Sequence, residues 1–77
     1  MSIDGLKPGQ SAIISEITAT GALRQRLLDV GILPGTAIDV ERCGIGGHPL
    51  WIRCHGGRMA LRQGEAASIT VSSVRTS

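Results

Sequence analysis

The sequence predicts a mostly β fold: a small barrel of five strands, with one α-helix inserted after the first strand and a short helical turn before the last. Three observations predict it. Apolar and polar residues alternate with period two in a series of short runs, the pattern of strands with one buried and one wetter face. A single run, TGALRQRLLDVG, repeats its apolar residues with the period of a helix. The apolar residues are also almost all aliphatic: 42% of the 77 residues are hydrophobic, yet Trp51 is the one aromatic. A chain of this length is expected to be one domain, 1–77, with a small core, because it buries only about 60% of the surface it exposes when unfolded.

Each element can be justified in order. Lys7-Pro8-Gly9 reads as a turn, with Leu6 plugging the end of the barrel, and it feeds a first strand over Ser11 to Ile17. Ile13 interrupts the alternation of Ala12 and Ile14, which calls for a bulge or a bend. In the helix, Leu23, Leu27 and Val30 recur at i, i+4 and i+7 and are expected to face inward. Thr20 is placed to cap its start, since a hydroxyl there accepts from an otherwise unpaired backbone N–H. Gly31 stands where a helix stops in the left-handed conformation, Ile32 folds back on the last turn, and Pro34-Gly35 turns the chain.

Period two then returns. Ile38 and Val40 mark the second strand, Leu50, Ile52 and Cys54 the third, Met59 and Leu61 the fourth, Ile69 and Val71 the fifth. Gly56-Gly57 suits a two-residue hairpin turn, because both positions tolerate positive φ. That turn would set Cys54 opposite Met59 and Ile52 opposite Leu61. Matching inside faces sets Val40 opposite Ile52 and Asp39 across from Arg53, an opposite-charge pair. Gln63 to Ala67 is long enough for one helical turn. Five short strands with one aliphatic face hide it best by curling into a closed sheet, which also removes exposed edges. The shape is that of an SH3-like barrel with an inserted helix.

Composition excludes several functions. Eight basic residues against six acidic ones give a net charge of +2, and the arginines are scattered from Arg24 to Arg75. A nucleic-acid binder would carry a basic stripe, and a single-strand binder would interleave it with aromatic platforms. The first ten residues lack the charged-then-apolar pattern of a signal peptide, and no apolar run approaches the about 20 residues needed to span a bilayer. Two cysteines without secretory context suit free thiols in a reducing cytoplasm. Gly44 to Gly47 is glycine-rich, but no lysine with a following Ser or Thr completes a phosphate loop. Without a nucleophile elbow or a carboxylate pair either, no enzyme and no cofactor is expected.

The residues match a known pattern. RLLDVGILPG, then a strand, then GGHP, then GRMALRQGEAASITV resembles the FeoA family, small cytosolic proteins of bacterial ferrous iron uptake. The resemblance runs from Leu6 and Gly9 to Val71. Its most specific parts are Arg26, Leu27, Gly31, Pro34 and Gly35, and then Ala60, Leu61, Arg62, Glu65, Ala66, Ile69 and Val71. It implies an SH3-like barrel and a role as partner of a large membrane transporter of ferrous iron that has a cytosolic GTPase domain. Similar modules end the diphtheria-toxin-repressor-like regulators, whose DNA-binding and metal-binding domains this chain lacks. It departs from the family at His48, commonly Asp, at Gly57, often a large residue, and in the glycine-rich CGIGGHP loop.

Two positions qualify as partner contacts. Leu28 lies about 140° from Leu23 around the helix, at about 100° per residue. It is either an ordinary exposed leucine or a contact shared with Arg24 and Gln25. Trp51 faces outward in the proposed register. It is either a binding hot spot or a cover for the barrel's end or the helix.

The metal-ligating types are Cys43, His48, Cys54 and His55. Zinc needs its ligand atoms about 2.0–2.3 Å from one centre. With Cys43 partnered near Pro49, it lies about 17 Å from Cys54, too far for a shared ion or a disulfide. A metal site is therefore not favoured, and the alternative is an iron- or zinc-handling protein using Cys43, His48 and His55. A self-assembling module, a weak homo-oligomer without transporter contact, is the third reading.

Overall fold

The computed structural model describes residues 1–76. Five antiparallel strands follow one another as β1 (Gln10–Ile17), β2 (Ala37–Cys43), β3 (Leu50–Cys54), β4 (Gly57–Leu61) and β5 (Ile69–Thr76). Helix α1 (Gly21–Asp29) follows β1, and the single turn α2 (Gln63–Ala66) precedes β5. Hydrogen bonds order the sheet β4-β3-β2-β1-β5. Element identity and order are as the pattern requires.

Two bulged regions curl the sheet. Register shifts interrupt the β1–β5 ladder on either side of Ile13 and Ile14, where the alternation fails. A further shift falls between Val40 and Arg42 in β2. An extra residue on one strand bends it and increases its twist. The curl gathers one aliphatic core in which Ile3, Ile14, Leu27, Ile32, Ile38, Ile52, Leu61 and Ile69 are fully buried. Leu6, at 4% exposed, plugs it as expected. Curling does not hide every edge, however: among the described residues β4 pairs with β3 alone.

Helix α1 ends in a Schellman motif. The Ile32 N–H donates to Leu27 O (2.9 Å) and the Gly31 N–H to Leu28 O (3.0 Å). Gly31 takes the left-handed backbone at φ +84°, and Leu27 and Ile32 bury themselves together at 0% exposure. Val30 corrects the expectation of an inward face. It stands at the C-cap with ψ near 4°, off the helical line, and is 44% exposed. Thr20 corrects the cap: it occupies the N-cap position with an extended backbone, but its hydroxyl makes no capping bond. Gly21, the first helical residue, takes a left-handed φ of +63°.

The hairpin turn also differs. Cys54 pairs with Gly57, so the turn is His55-Gly56, and Ile52 faces Met59 while Leu50 faces Leu61. His55 adopts φ +52° and Gly56 φ +78°, the pair of positive angles that a two-residue hairpin needs. The imidazole supplies the reason a histidine tolerates that backbone. Its Nε2 lies 3.0 Å from Gly31 O, and because a carbonyl only accepts, Nε2 carries the hydrogen. The shift is two residues, so every inside residue of β4 keeps its face.

Asp39 does stand across from Arg53 and Val40 across from Ile52. The ion pair, though, forms elsewhere: Arg53 and Arg58 sit directly opposite each other, and Glu41 bonds both, at 3.3 and 2.8 Å. One carboxylate between two facing guanidiniums offsets their like-charge repulsion.

Candidate functional site

A groove of about 880 Å³ opens on the surface. Arg26 of α1, Val30 at its C-cap, and Met59 and Ala60 of β4 line it. His48 and Pro49 before β3, Arg62 at the N-cap of α2, and Gln63 and Glu65 within it complete the lining. Glu65 holds two of these elements together. Its Oε2 accepts from Arg26 Nη2 at 2.8 Å, and its Oε1 accepts from the Arg62 N–H at 2.9 Å. The acid thus ties α1 to α2 across 39 residues of sequence and satisfies a donor at the start of α2. The groove surface is mainly apolar, with two guanidiniums and one carboxylate around it. Among the described residues Arg62 has no ion-pair partner. His48 Nδ1 is buried without a hydrogen-bond partner among the described residues.

The expected partner contacts lie elsewhere. Arg24 is exposed on α1, whereas Leu28 is half-buried and not the free leucine that helical angle alone suggests. Trp51 does face out of the barrel, but Arg42 covers its ring, with Cζ 4.9 Å from the centroid. Arg42 comes opposite Trp51 because of the β2 bulge. Together with Glu41 and Arg58 they line a second, smaller hollow of about 290 Å³. None of Arg24, Leu28 and Trp51 lines the groove.

The metal-ligating types stay dispersed. Cys43 is exposed and pairs with Leu50, one residue off the expected partner because of the bulge. His55 belongs to the turn at the far end of β3 and spends Nε2 on Gly31. Among the described residues no three His, Cys, Asp or Glu side chains gather as ligands. Cys54 is buried, and that burial pushes its thiol above the ordinary value of 9.0. It packs in the core as a neutral thiol.

Sequence reasoning found the groove's charged residues without recognising a groove. Arg26, Arg62 and Glu65 stood out only as parts of a family pattern. The other motif residues serve the frame: Leu27, Leu61 and Ala66 are wholly buried, and the Gly35 N–H behind Pro34 donates to Ile14 O at 2.7 Å. Val30 and Met59 are expected on the inside face, whereas Ala60 stands out only as part of the family pattern.

Comparison with known proteins places this architecture. A curated relative from Porphyromonas gingivalis, an Fe(2+) transport protein A/Fe(2+) transporter FeoB fusion protein, is 31% identical over 71 residues. The match covers 92% of this chain, which spans only 8% of the length of that relative. The FeoA protein of Chlorobium tepidum superposes with a TM-score of 0.85 at 35% identity, covering 92% of this chain and 68% of that one. Stenotrophomonas maltophilia FeoA, solved with zinc and described as a prokaryotic SH3 domain protein, gives a TM-score of 0.88 at 28% identity, covering 99% and 96%. The FeoA domain family model matches residues 1–73, and the chain belongs to that family.

Proposed function

We propose that this chain is a non-enzymatic accessory protein of ferrous iron uptake, acting as one domain in the cytoplasm and docking on the cytosolic, GTPase-containing portion of the iron transporter. The observation that supports it is the Porphyromonas gingivalis relative, in which the matching segment shares one polypeptide with FeoB. Tethering in one chain turns a contact between two modules into an intramolecular event at high effective concentration. A module that works against the transporter is one for which such a tether is useful. The shape agrees: a rigid curled sheet with an open groove. No helix of the described residues is long and apolar enough to cross a membrane.

The test is calorimetry between the purified chain and the transporter's cytosolic portion, with nucleotide hydrolysis followed in parallel. Saturable binding is the expected result. Heats indistinguishable from dilution, together with an unchanged hydrolysis rate, would sink the reading.

A second reading, metal handling, has one observation in its favour, the zinc held by the Stenotrophomonas maltophilia relative. Here it would fall to Cys43 and His48 on the β2–β3 loop, with His55 requiring a second molecule. Sub-micromolar ferrous or zinc binding that Cys43→Ser or His48→Ala abolishes would favour this reading over docking.

A further inference from the structure

Strand β4 ends the sheet, and the groove lies against its open side. Consecutive strand residues point to opposite faces, so a hollow lined by both Met59 and Ala60 reaches the edge of the strand. The unpaired backbone groups can be named. The two-residue turn makes Cys54–Gly57 a hydrogen-bonded pair, and bonded and non-bonded pairs alternate along an antiparallel ladder. Gly57, Met59 and Leu61 therefore bond to β3, and the N–H and C=O of Arg58 and Ala60 point outward.

Charge completes the site. Arg58, Ala60 and Arg62 share one side of this extended run, because Arg62 keeps a strand-like backbone at φ −72°, ψ 164°. Arg53 and Arg58 share Glu41 at one end, and at the other Arg26 holds Glu65 beside Arg62, which has no ion-pair partner among the described residues. A second copy is poorly matched to such an edge. Antiparallel pairing about Ala60 sets Arg58 of one copy opposite Arg62 of the other, and like charges directly opposite destabilise a sheet.

We propose that the open edge of β4, from Arg58 to the groove, takes an extended segment of a partner protein as an added strand, with two carboxylates four residues apart against Arg58 and Arg62, and apolar side chains between them over Met59 and Val30 in the groove. Strand addition of this kind draws affinity from main-chain bonds and specificity from alternate side chains. The inference rests on the docking reading only in taking that partner to be the transporter.

The experiment titrates the isotope-labelled full chain with the synthetic peptide acetyl-Val-Glu-Val-Ser-Val-Glu-Val-amide and follows amide shifts. Expected are shifts confined to β4, Arg62 and Val30, no response to the peptide with both Glu replaced by Lys, and about ten-fold weaker binding to Arg62→Glu. Ala60→Pro deletes an outward N–H without breaking the β3 ladder and should abolish binding. Should that variant fail to fold, peptides N-methylated at alternate bonds make the same test from the ligand side. Silence up to millimolar peptide, shifts centred on Arg42 and Trp51, or β4 shifts that grow with protein concentration alone would each overturn the inference. The transporter's cytosolic portion separates the two readings. Binding that ignores both variants overturns the groove and leaves docking standing, whereas peptide uptake without transporter binding does the reverse.

Discussion

Cys43 and Cys54 show how position sets the chemistry of one residue type. The first is exposed on the β2–β3 hairpin, and the second is buried with its thiol pushed up by lost solvation. At pH 8, iodoacetamide should alkylate Cys43 at least about ten times faster than Cys54, by mass spectrometry of timed samples, because only the accessible thiolate reacts. Linkage gives a second expectation with a definite sign. A folded-state value raised above 9.0 means the native chain holds its proton where the unfolded chain loses it. Cys54 therefore contributes its full share of stability below 9.0, and that share falls as pH climbs through the raised folded value. Urea midpoints measured from pH 7 to 10.5 should decline at the alkaline end, and Cys54→Ala should flatten that part of the curve. Cys54's inward face was readable from alternation with Leu50 and Ile52. His55 was not: nothing local announces that a histidine will take φ +52°, because its hydrogen-bond partner, Gly31, is 24 residues away.

Among the elements, the end of α1 carries the most consequence. Gly31 has both the left-handed backbone and a close neighbour, since a Cβ there would meet His55 Cδ2 at 3.0 Å. Gly31→Ala should cost about 1–3 kcal/mol in chemical denaturation, from backbone strain and from the push on the ring. A double-mutant cycle with His55→Asn should be less than additive, because asparagine tolerates the turn while removing the collision. Glu65 makes a parallel case for α2. Glu65→Ala should lower stability by about 1–2 kcal/mol, mostly through the lost acceptor for the Arg62 N–H, as the Arg26 pair is largely screened by solvent. Alternation and glycine placement made the elements themselves legible. What it could not show was how they approach, because a groove between α1 and β4 is a fact of the curl, and the curl depends on bulges. The register shifts that flank Ile13 and Ile14 lie beside the apolar run that hints at them, whereas the extra residue in β2 at Glu41 left no trace. That missed residue moved Cys43 from its expected partner to Leu50 and brought Arg42 opposite Trp51.

For the molecule as a whole, one core carries the burden, and a chain of this size has little stability to spare. Leu27 is wholly buried where the helix meets the sheet, and Leu27→Ala should cost about 2–5 kcal/mol, enough to leave much of the protein unfolded at 37 °C by thermal circular dichroism. The ladder order has a consequence for how the chain reaches this state. Strands β2, β3 and β4 are joined by hairpins, so their pairing closes loops of a few residues. The β1–β5 pairing is another matter, with Ile14 meeting Val71 and Gln10 meeting Thr76. Bringing those segments together closes a loop of nearly the full chain before any contact rewards it. Such topologies fold in milliseconds to seconds, and the meander should assemble ahead of the clasp. Until β5 arrives, β1 is as bare as β4. The ribosome releases the last strand late, so for that interval the nascent protein is a four-stranded sheet with two adhesive borders, and its speed in finding Val71 decides whether it meets itself or a neighbour first.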